Sequence, residues 1–234
     1  MSTPRLIDLT LPLAPGQRGV AMEPKHTVAR DGWNAATWHL YSHTGTHMDA
    51  QFHFGAGPET IDTKPLSLCM GPAWVVNLTP TAPRTLLTVA HLGAVAQTFV
   101  AGESLLLRTD WHRHAADPAI YRDGLPRISA DLAEWCVAHR VKILGVEPPS
   151  VADVNNLPEV TRIHHILLGG GVTIVEGLAF LDQLAQPRVL FAALPLKLAG
   201  GDGGPVRAFA VEGVDPSTFT TATANGSAAL LPPP

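Results

Sequence analysis

The sequence predicts a single domain of the α/β class. Short apolar segments typical of strands alternate with amphipathic segments typical of helices, and this order is characteristic of a layered α/β fold. One strand, 104–109, is a continuous apolar run, which indicates a sheet covered on both faces. The chain has 234 residues, of which 46% are hydrophobic, so it is long enough to bury a substantial core.

Local patterns place the elements along the chain. Aromatic and β-branched runs predict strands, and apolar residues at helical spacing behind a capping residue predict helices. Ser129 is the N-cap of the clearest helix, and the glycines at 169–171 end the last one. Segment 12–25, rich in Gly and Pro, is a predicted loop. The predicted strands are 6–11, 36–42, 73–78, 104–109, 141–146, 172–175, 188–194 and 205–211, and the predicted helices are 88–97, 129–139 and 161–168.

Composition and charge exclude several classes of protein. The charged fraction is 15% and the net charge is −4, so nothing favours nucleic acid or an anionic membrane as a partner. No apolar run is long enough to span a bilayer, and the first residues lack the pattern of a signal peptide.

Cys69 and Cys136 have no Cys neighbour at metal-binding spacing, so we expect reduced buried thiols. These features predict a soluble cytoplasmic protein, and the low charge density favours a surface partly covered by another subunit.

The end of the chain differs in composition from the rest. From residue 215 onward it is rich in Thr, Ala, Ser and Pro and carries one charge, at its start. We therefore predict one domain, 1–214, followed by a tail or arm, 215–234.

The strongest functional pattern lies in residues 42–53. His43, His47, Asp49 and His53 fall within eleven residues, and these side chains bind Zn²⁺ and similar ions. A straight strand would place the first and last about 33 Å apart, too far to share an ion, so the chain must bend. Gly45 supplies the bend because it can adopt positive φ. We predict a turn that brings His43 and His47 to one centre, an extended run that adds Asp49, and His53 at the edge.

Two features of the C-terminal half are candidates to complete a metal site. His164 and His165 lie on a predicted helix, where neighbours differ by about 100°, so at most one reaches a metal. Glu176 follows an apolar strand, where it is either a buried, paired carboxylate or the start of a surface loop, and the residues leave both open. His112 and His114 lie in a polar segment and are expected to be exposed.

The chain resembles the metal-dependent cyclase-like hydrolase family, which includes bacterial kynurenine formamidase, isatin hydrolase and a dienelactone hydrolase. The family motif His-x-Gly-x-His-x-Asp-x-Pro-x-His is matched by His43, Gly45, His47, Asp49 and His53. Other segments agree in order and spacing with the family: 7–10, 107–109, 145–146, 149–150, the region of 164, 175–177, 194–197 and 203–208.

The resemblance implies a fold, a cofactor and a set of roles. The implied fold is a single α/β domain with a mixed barrel-like β-sheet and flanking helices, in a homodimer or homotetramer. The implied cofactor is one or two divalent ions, with zinc preferred and manganese possible because all donors are N or O. His53 is the implied general acid/base, and the implied metal ligands are His43, His47, Asp49, His164 and Glu176.

The implied reaction is hydrolysis of a C–N amide bond, in a formamide or cyclic amide, by a metal-activated water acting on a small molecule. One alternative is a lactone hydrolase of the same family. Another is a metal-stabilised binding protein without catalysis, which is disfavoured because structural zinc sites are closed and often use Cys. A serine hydrolase is disfavoured because the chain has no Gly-x-Ser-x-Gly elbow.

The sequence departs from the family in two places. Gln51 stands where the family usually has Pro, which changes backbone stiffness but removes no ligand. Residues 18–22 lack the Trp that packs on the substrate in kynurenine formamidases, so N-formylkynurenine is not favoured. Trp33 or Trp38 would replace it only if the early loop folds differently.

Overall fold

The computed structural model describes residues 3–219, and a mixed eight-stranded sheet forms its centre. Two small sheets of two strands each lie outside the large sheet, an antiparallel ribbon near the start of the chain and a parallel pair. Helices are few and short. The strands are β1 (Arg5–Asp8), β2 (Val20–His26), β3 (Ala35–Leu40), β4 (His47–Asp49), β5 (Met70–Asn77), β6 (Leu86–Leu87), β7 (Ser104–Arg108), β8 (Arg127–Ile128), β9 (Ile143–Val146), β10 (Thr173–Glu176), β11 (Arg188–Pro195) and β12 (Gly203–Glu212). The helices are α1 (Val28–Asp31), α2 (Val95–Thr98), α3 (Pro118–Asp123), α4 (Ala130–Ala138) and α5 (Leu157–Gly169).

The large sheet closes into a barrel through its longest strand, β12. The order is β12-β11-β5-β7-β9-β10-β4, and β4 pairs again with β12. Strands β5, β7, β9 and β10 run parallel, and the other pairs are antiparallel. β4 and β1 pair with opposite ends of β12. The predicted mixed, barrel-like sheet is confirmed.

Two apolar cores explain why the central strands are apolar throughout. Successive side chains of a strand point to opposite faces. Leu106 of β7 therefore joins the cluster inside the barrel, which includes Met48 and Phe191. Its neighbours Leu105 and Leu107 join the outer cluster, formed with buried residues of α4 and α5. Because both faces of the parallel strands are covered, apolar side chains are favoured on both faces.

The predicted loop 12–25 is wrong in its second half, where β2 pairs antiparallel with β3 to form the ribbon. Most residues of both strands are exposed, so the sequence carries no burial pattern there. Pro24 also argues against a strand, but a two-stranded ribbon has an edge that tolerates it. The predicted helix 88–97 is broken into a 3₁₀ turn, Val89–Leu92, and α2, because Gly93 between them has a φ of 53°.

Other elements agree with the predictions to within a few residues. Ser129 caps α4 and accepts the N–H of Leu132 at 3.3 Å. α5 begins before the predicted 161, because Asn156 caps it through the N–H of Glu159 at 3.3 Å. Cys69 and Cys136 are both free and buried, as predicted.

The structure tests only part of the predictions on membrane-spanning segments and on the C-terminal tail. Within residues 3–219, no helix has the length and apolar character needed to cross a bilayer. Of the predicted tail 215–234, residues 220–234 lie outside the described part, and a 3₁₀ turn, Pro216–Thr218, precedes them. The boundary at 214 stays a prediction.

The prediction that His112 is exposed is wrong. Its side chain is 8% exposed, and its Nδ1 lies 2.9 Å from Oε1 of Glu147, a fully buried carboxylate directly after β9. The other carboxylate oxygen accepts the backbone N–H groups of Thr109 and Trp111. The partner of His112 comes from a neighbouring strand far along the chain, so local spacing could not reveal it. His114 is half-buried against the ring of Trp111, with centroids 4.5 Å apart.

Candidate metal centre

The histidine segment contains the predicted bend. Residues 42–46 form a turn in which Gly45 has a φ of 59°, and a Cβ there would lie 2.5 Å from the side chain of Leu13. The chain then enters β4, where His47 and Asp49 are two residues apart and share one face. Strands β10 and β12 flank β4, so both side chains are nearly fully buried.

Strand register brings Glu176 to this pair. Glu176 is the last residue of β10 and lies opposite His47, with its Oε2 3.2 Å from Nε2 of His47. His164 of α5 approaches from the helical layer, and its Nε2 is 3.4 Å from Oε1 of Glu176 and 3.5 Å from Oδ2 of Asp49. Its neighbour His165 is exposed, so only one of the two histidines reaches the cluster. Glu176 is therefore the buried, paired carboxylate.

The backbone fixes the orientation of both buried histidine rings. Nδ1 of His47 donates to the carbonyl of Gly45 at 3.0 Å, and Nδ1 of His164 donates to the carbonyl of Val160 at 2.7 Å. A ring that donates from Nδ1 offers the lone pair of Nε2 on its other side. Both Nε2 atoms face Glu176, the arrangement that a metal ligand needs.

The donor set fits a divalent cation. Two buried atoms of the cluster, Nε2 of His47 and Oδ2 of Asp49, lack a well-formed hydrogen bond, although Glu176 lies 3.2 Å from the first and His164 3.5 Å from the second. Buried polar atoms are normally paired, because leaving one unpaired costs about 1–3 kcal/mol. His47, Asp49 and Glu176 each offer a ligand atom within 4.8 Å of the others. A cation bound among them would satisfy both unpaired atoms.

The charges of the cluster are strongly coupled. Burial lowers the pKa of His47 and of His164, but Glu176 and Asp49 more than offset this effect and raise both above the ordinary value. Burial opposes ionisation of Glu176, yet the two histidines lower its pKa well below the ordinary value. The carboxylate of Glu176 thus remains charged and requires positive charge beside it, from protons or from a metal that displaces those protons.

His43 and His53 lie on the other side of Asp49. Nδ1 of His43 is 2.9 Å from Oδ1 of Asp49, and its ring stacks on that of His53 with centroids 3.7 Å apart. Burial lowers the pKa of His43, but Asp49 and Asp202 raise it to about 9. His53 lies on a 3₁₀ turn, Gln51–Phe54, and is 23% exposed, and burial lowers its pKa. His43, Asp49 and His53 form a second group with ligand atoms within 4.8 Å.

The structure brings together all six residues predicted for the site, and it adds one that the sequence analysis missed. Asp202 lies in the turn before β12, with Oδ2 2.9 Å from Nε2 of His43 and 3.5 Å from Nδ1 of His53. A single Asp between glycines carries no metal-binding spacing. One sequence signal could have pointed to Asp202: its Gly-rich turn comes directly before segment 203–208, which matches the family.

Comparison with known proteins identifies the family. The family described as "Putative cyclase" matches residues 7–153. The kynurenine formamidase of Bacillus thuringiensis (strain Al Hakam) is 32% identical over 218 residues, which cover 89% of this chain and 98% of that protein. The chain belongs to the cyclase family. Isatin hydrolase A from Ralstonia solanacearum has a similar structure, with a TM-score of 0.79 and 29% identity over 89% of this chain and 92% of that one.

A third protein shares the fold at lower identity. It is described as a potential metal-dependent hydrolase with cyclase activity, and it superimposes with a TM-score of 0.75 at 22% identity over 91% of this chain and all of that one. The α/β barrel, the family and the activity class predicted from the sequence, a metal-dependent hydrolase of amide bonds, are confirmed. The roles of the individual site residues stay predictions.

Proposed function

We propose that this cyclase-family member hydrolyses a formamide or cyclic amide of a small aromatic molecule, with a divalent ion held by His43, His47, Asp49, His164 and Glu176. The observation that carries the proposal is the pair of unpartnered buried atoms, Nε2 of His47 and Oδ2 of Asp49, beside the carboxylate of Glu176. The names of the relatives support the substrate class, since kynurenine formamidase acts on an open amide and isatin hydrolase on a cyclic one.

The chain's own groups divide the work of the reaction. A bound divalent ion would polarise the amide carbonyl and lower the pKa of a water molecule from 15.7 toward about 7. The carbonyls of Gly45 and Val160 hold two ligand rings in the required tautomer. His53 lies at the more open edge of the cluster, where an imidazole can take a proton from water and give it to the leaving nitrogen.

The ion is proposed to be zinc, with manganese as the alternative. All candidate donors are imidazole nitrogens and carboxylate oxygens, and both metals accept this set. Asp49 belongs to both groups of candidate ligands, so its two oxygens could serve one ion or two.

A groove beside the site offers a place for an aromatic ring. Residues at the base of the ribbon, from 17–21 and 39–41, line a shallow, open groove of about 440 Å³. The ring of Tyr41 is half-exposed there and lies 5.6 Å from the ring of His43. Trp33 stacks instead on His26, with centroids 4.1 Å apart. We propose Tyr41 as the aromatic contact that stands in for the Trp absent from residues 18–22.

Metal removal and reconstitution test the function. Protein stripped by a chelator is loaded with Zn²⁺ or Mn²⁺ and assayed on an N-formyl aromatic amine, isatin, a cyclic imide and an aromatic lactone. We expect hydrolysis of at least one amide, abolished by the chelator and restored by the metal. Activity that survives complete metal removal would overturn the proposal, and a clear preference for the lactone would favour the lactone hydrolase alternative.

The assembly and location are also proposals. Several large apolar side chains near the ribbon are exposed, including Trp38, Leu40 and Tyr41, and a second copy of the chain would cover such a surface. We propose a homodimer or homotetramer, which light scattering after gel filtration would test. The cytoplasmic location stays a prediction from the sequence.

A further inference from the structure

Asp202 is fixed by its backbone to the histidine segment. Its carbonyl accepts the N–H of Ala50 at 3.0 Å, at the point where β4 passes into the turn that carries His53. The turn that contains Asp202 has a second anchor, because the N–H of Gly200 donates to the carboxylate of Asp62 at 3.0 Å. Asp202 is therefore held beside the site by contacts that do not involve its own side chain.

The Asp202 carboxylate faces two histidines of the site. Its Oδ2 is 2.9 Å from Nε2 of His43 and 3.5 Å from Nδ1 of His53, while its side chain is 38% exposed. Gly203 makes this approach possible, since a Cβ at that position would lie 2.8 Å from Cε1 of His43 and 2.7 Å from the carbonyl of Met48. The strand passes so close to His43 that only glycine fits next to Asp202.

We propose that Asp202 is a positioning residue that fixes the ring orientation and tautomer of His43 and holds the ring of His53 beside it. The inference rests on the proposed function and deepens it, because it assigns which nitrogen of each ring is free to act.

The tautomer follows from the two neighbours of His43. Both nitrogens of the His43 ring face a carboxylate at 2.9 Å, Nε2 that of Asp202 and Nδ1 that of Asp49. A cation bound to Asp49 would replace the proton on Nδ1 and leave the Nε2–H donating to Asp202. His43 would thus bind a metal through Nδ1, whereas His47 and His164 face the cluster through Nε2. A carboxylate that receives the second N–H of a metal-binding histidine orients the ring and strengthens the ligand.

The same carboxylate also faces His53, with Oδ2 3.5 Å from Nδ1, an ion-pair contact rather than a close hydrogen bond. With Nδ1 of His53 turned toward Asp202, Nε2 is the nitrogen left to exchange a proton with water or substrate. One side chain therefore aligns a metal ligand and the proposed acid/base, whose rings stack on each other.

Three variants of Asp202 and one control test this role in the zinc-loaded protein. Asp202→Asn keeps an acceptor oxygen without the charge, Asp202→Ala removes both, and Asp202→Glu restores the charge on a longer side chain. Asp62→Ala is the control, because it removes the other anchor of the same turn and contacts no histidine of the site. Circular dichroism verifies that each variant is folded.

Three readouts distinguish positioning from a merely structural contribution. Zinc affinity, measured by competition with a chelator, should fall about 10- to 100-fold in Asp202→Ala and less in Asp202→Asn. Long-range ¹H–¹⁵N spectra should show His43 protonated on Nε2 in the wild type and a loss of that fixed tautomer in Asp202→Ala. In Asp202→Ala, kcat should fall while KM stays within about twofold of the wild-type value. Asp202→Glu should recover part of the lost kcat.

The outcomes separate this inference from the proposed function. If the wild type binds zinc and hydrolyses amides but Asp202→Ala keeps its zinc affinity within threefold and its His43 tautomer, the inference alone is overturned. Equal losses in Asp62→Ala and Asp202→Ala would also overturn it, since the turn and not the carboxylate would then be responsible. A wild type that binds neither Zn²⁺ nor Mn²⁺ would overturn both.

Discussion

At the scale of single residues, the site depends on which nitrogen of each histidine the surroundings occupy. Backbone carbonyls take the Nδ1–H of His47 and of His164, and a carboxylate takes the Nε2–H of His43. The remaining nitrogens converge on Asp49 and Glu176. Three imidazoles that would otherwise choose between tautomers are thus oriented in the way that the proposed cation would need.

The proposal divides the site residues into metal ligands and one general acid/base, and substitution should separate the two roles. We expect His47→Ala to lose bound metal and turnover together, because it removes a central donor. His53→Ala should keep its metal and lose about 10²- to 10⁴-fold in kcat, the usual loss on removing a general acid or base. Metal content by mass spectrometry and kcat on the best amide substrate are the measurements.

His53 also belongs to a group of candidate ligands, so the two roles make opposite predictions for the metal content of this variant. His165→Ala is a matched control, since this exposed histidine on α5 lies outside the cluster. A folded His53→Ala protein that lost its metal would show that His53 is a ligand.

At the scale of elements, the close approach of two backbones holds the site together. The turn at Gly45 lies against the end of β10, and a Cβ on Gly177 would be 2.4 Å from the carbonyl of Gly45. That same carbonyl orients His47, and Gly177 directly follows Glu176. The distance between the two halves of the site is therefore set by a glycine that has no part in the chemistry.

Gly177→Ala should be much more destabilising than an ordinary glycine substitution. Gly171→Ala is the matched control, because it too has positive φ but open space around its Cβ. The control should cost about 1–2 kcal/mol of left-handed strain. Gly177→Ala should cost more, because neither backbone can yield. Urea unfolding of the metal-free proteins measures both, and equal free energies of unfolding would contradict the argument.

The limits of sequence analysis appear most clearly at the same elements. His43, His47, Asp49 and His53 were recognisable because their spacing is local. The residues around Glu176 in the sequence did not decide whether its side chain is buried. Its burial depends on the pairing of β10 with β4, and β4 has only three residues and forms by pairing with β10 and β12.

Distant partners account for the other errors. Asp202 was missed because its two histidine contacts come from segments about 150 residues away. His112 was misplaced because Glu147, its partner, follows a different strand. The β2–β3 ribbon was partly missed because exposed strands leave no hydrophobic pattern. Periodicity reports burial along one segment, whereas these features arise from contacts between segments.

At the scale of the whole molecule, barrel closure is what assembles the site. β4 fills the gap between β10 and β12, so the proposed ligands from residues 43–49 meet Glu176 on one side and Asp202 on the other. α5 packs outside the sheet and adds His164. A cation at this junction would link the two edges of the sheet, β10 and β12, where β4 closes the barrel.

Metal binding should therefore stabilise the whole fold. At a free ion concentration one hundred times the dissociation constant, the gain is about 2.7 kcal/mol. For a protein of this size, that corresponds to a rise of roughly 5–11 °C in Tm. Calorimetry of chelator-treated and zinc-loaded protein measures it, with His47→Ala as the variant that should not respond. A wild-type Tm that neither Zn²⁺ nor Mn²⁺ changes would show that no such cation joins these strands.

The most direct measurement of the central claim is a crystal structure of protein loaded with Mn²⁺, with anomalous difference density collected on it. The structure predicts a peak in contact with His47, Asp49 and Glu176, with His43 and His164 beside it. A peak elsewhere in a fully loaded, active crystal, or side chains of this cluster that contact no ion, would contradict the account.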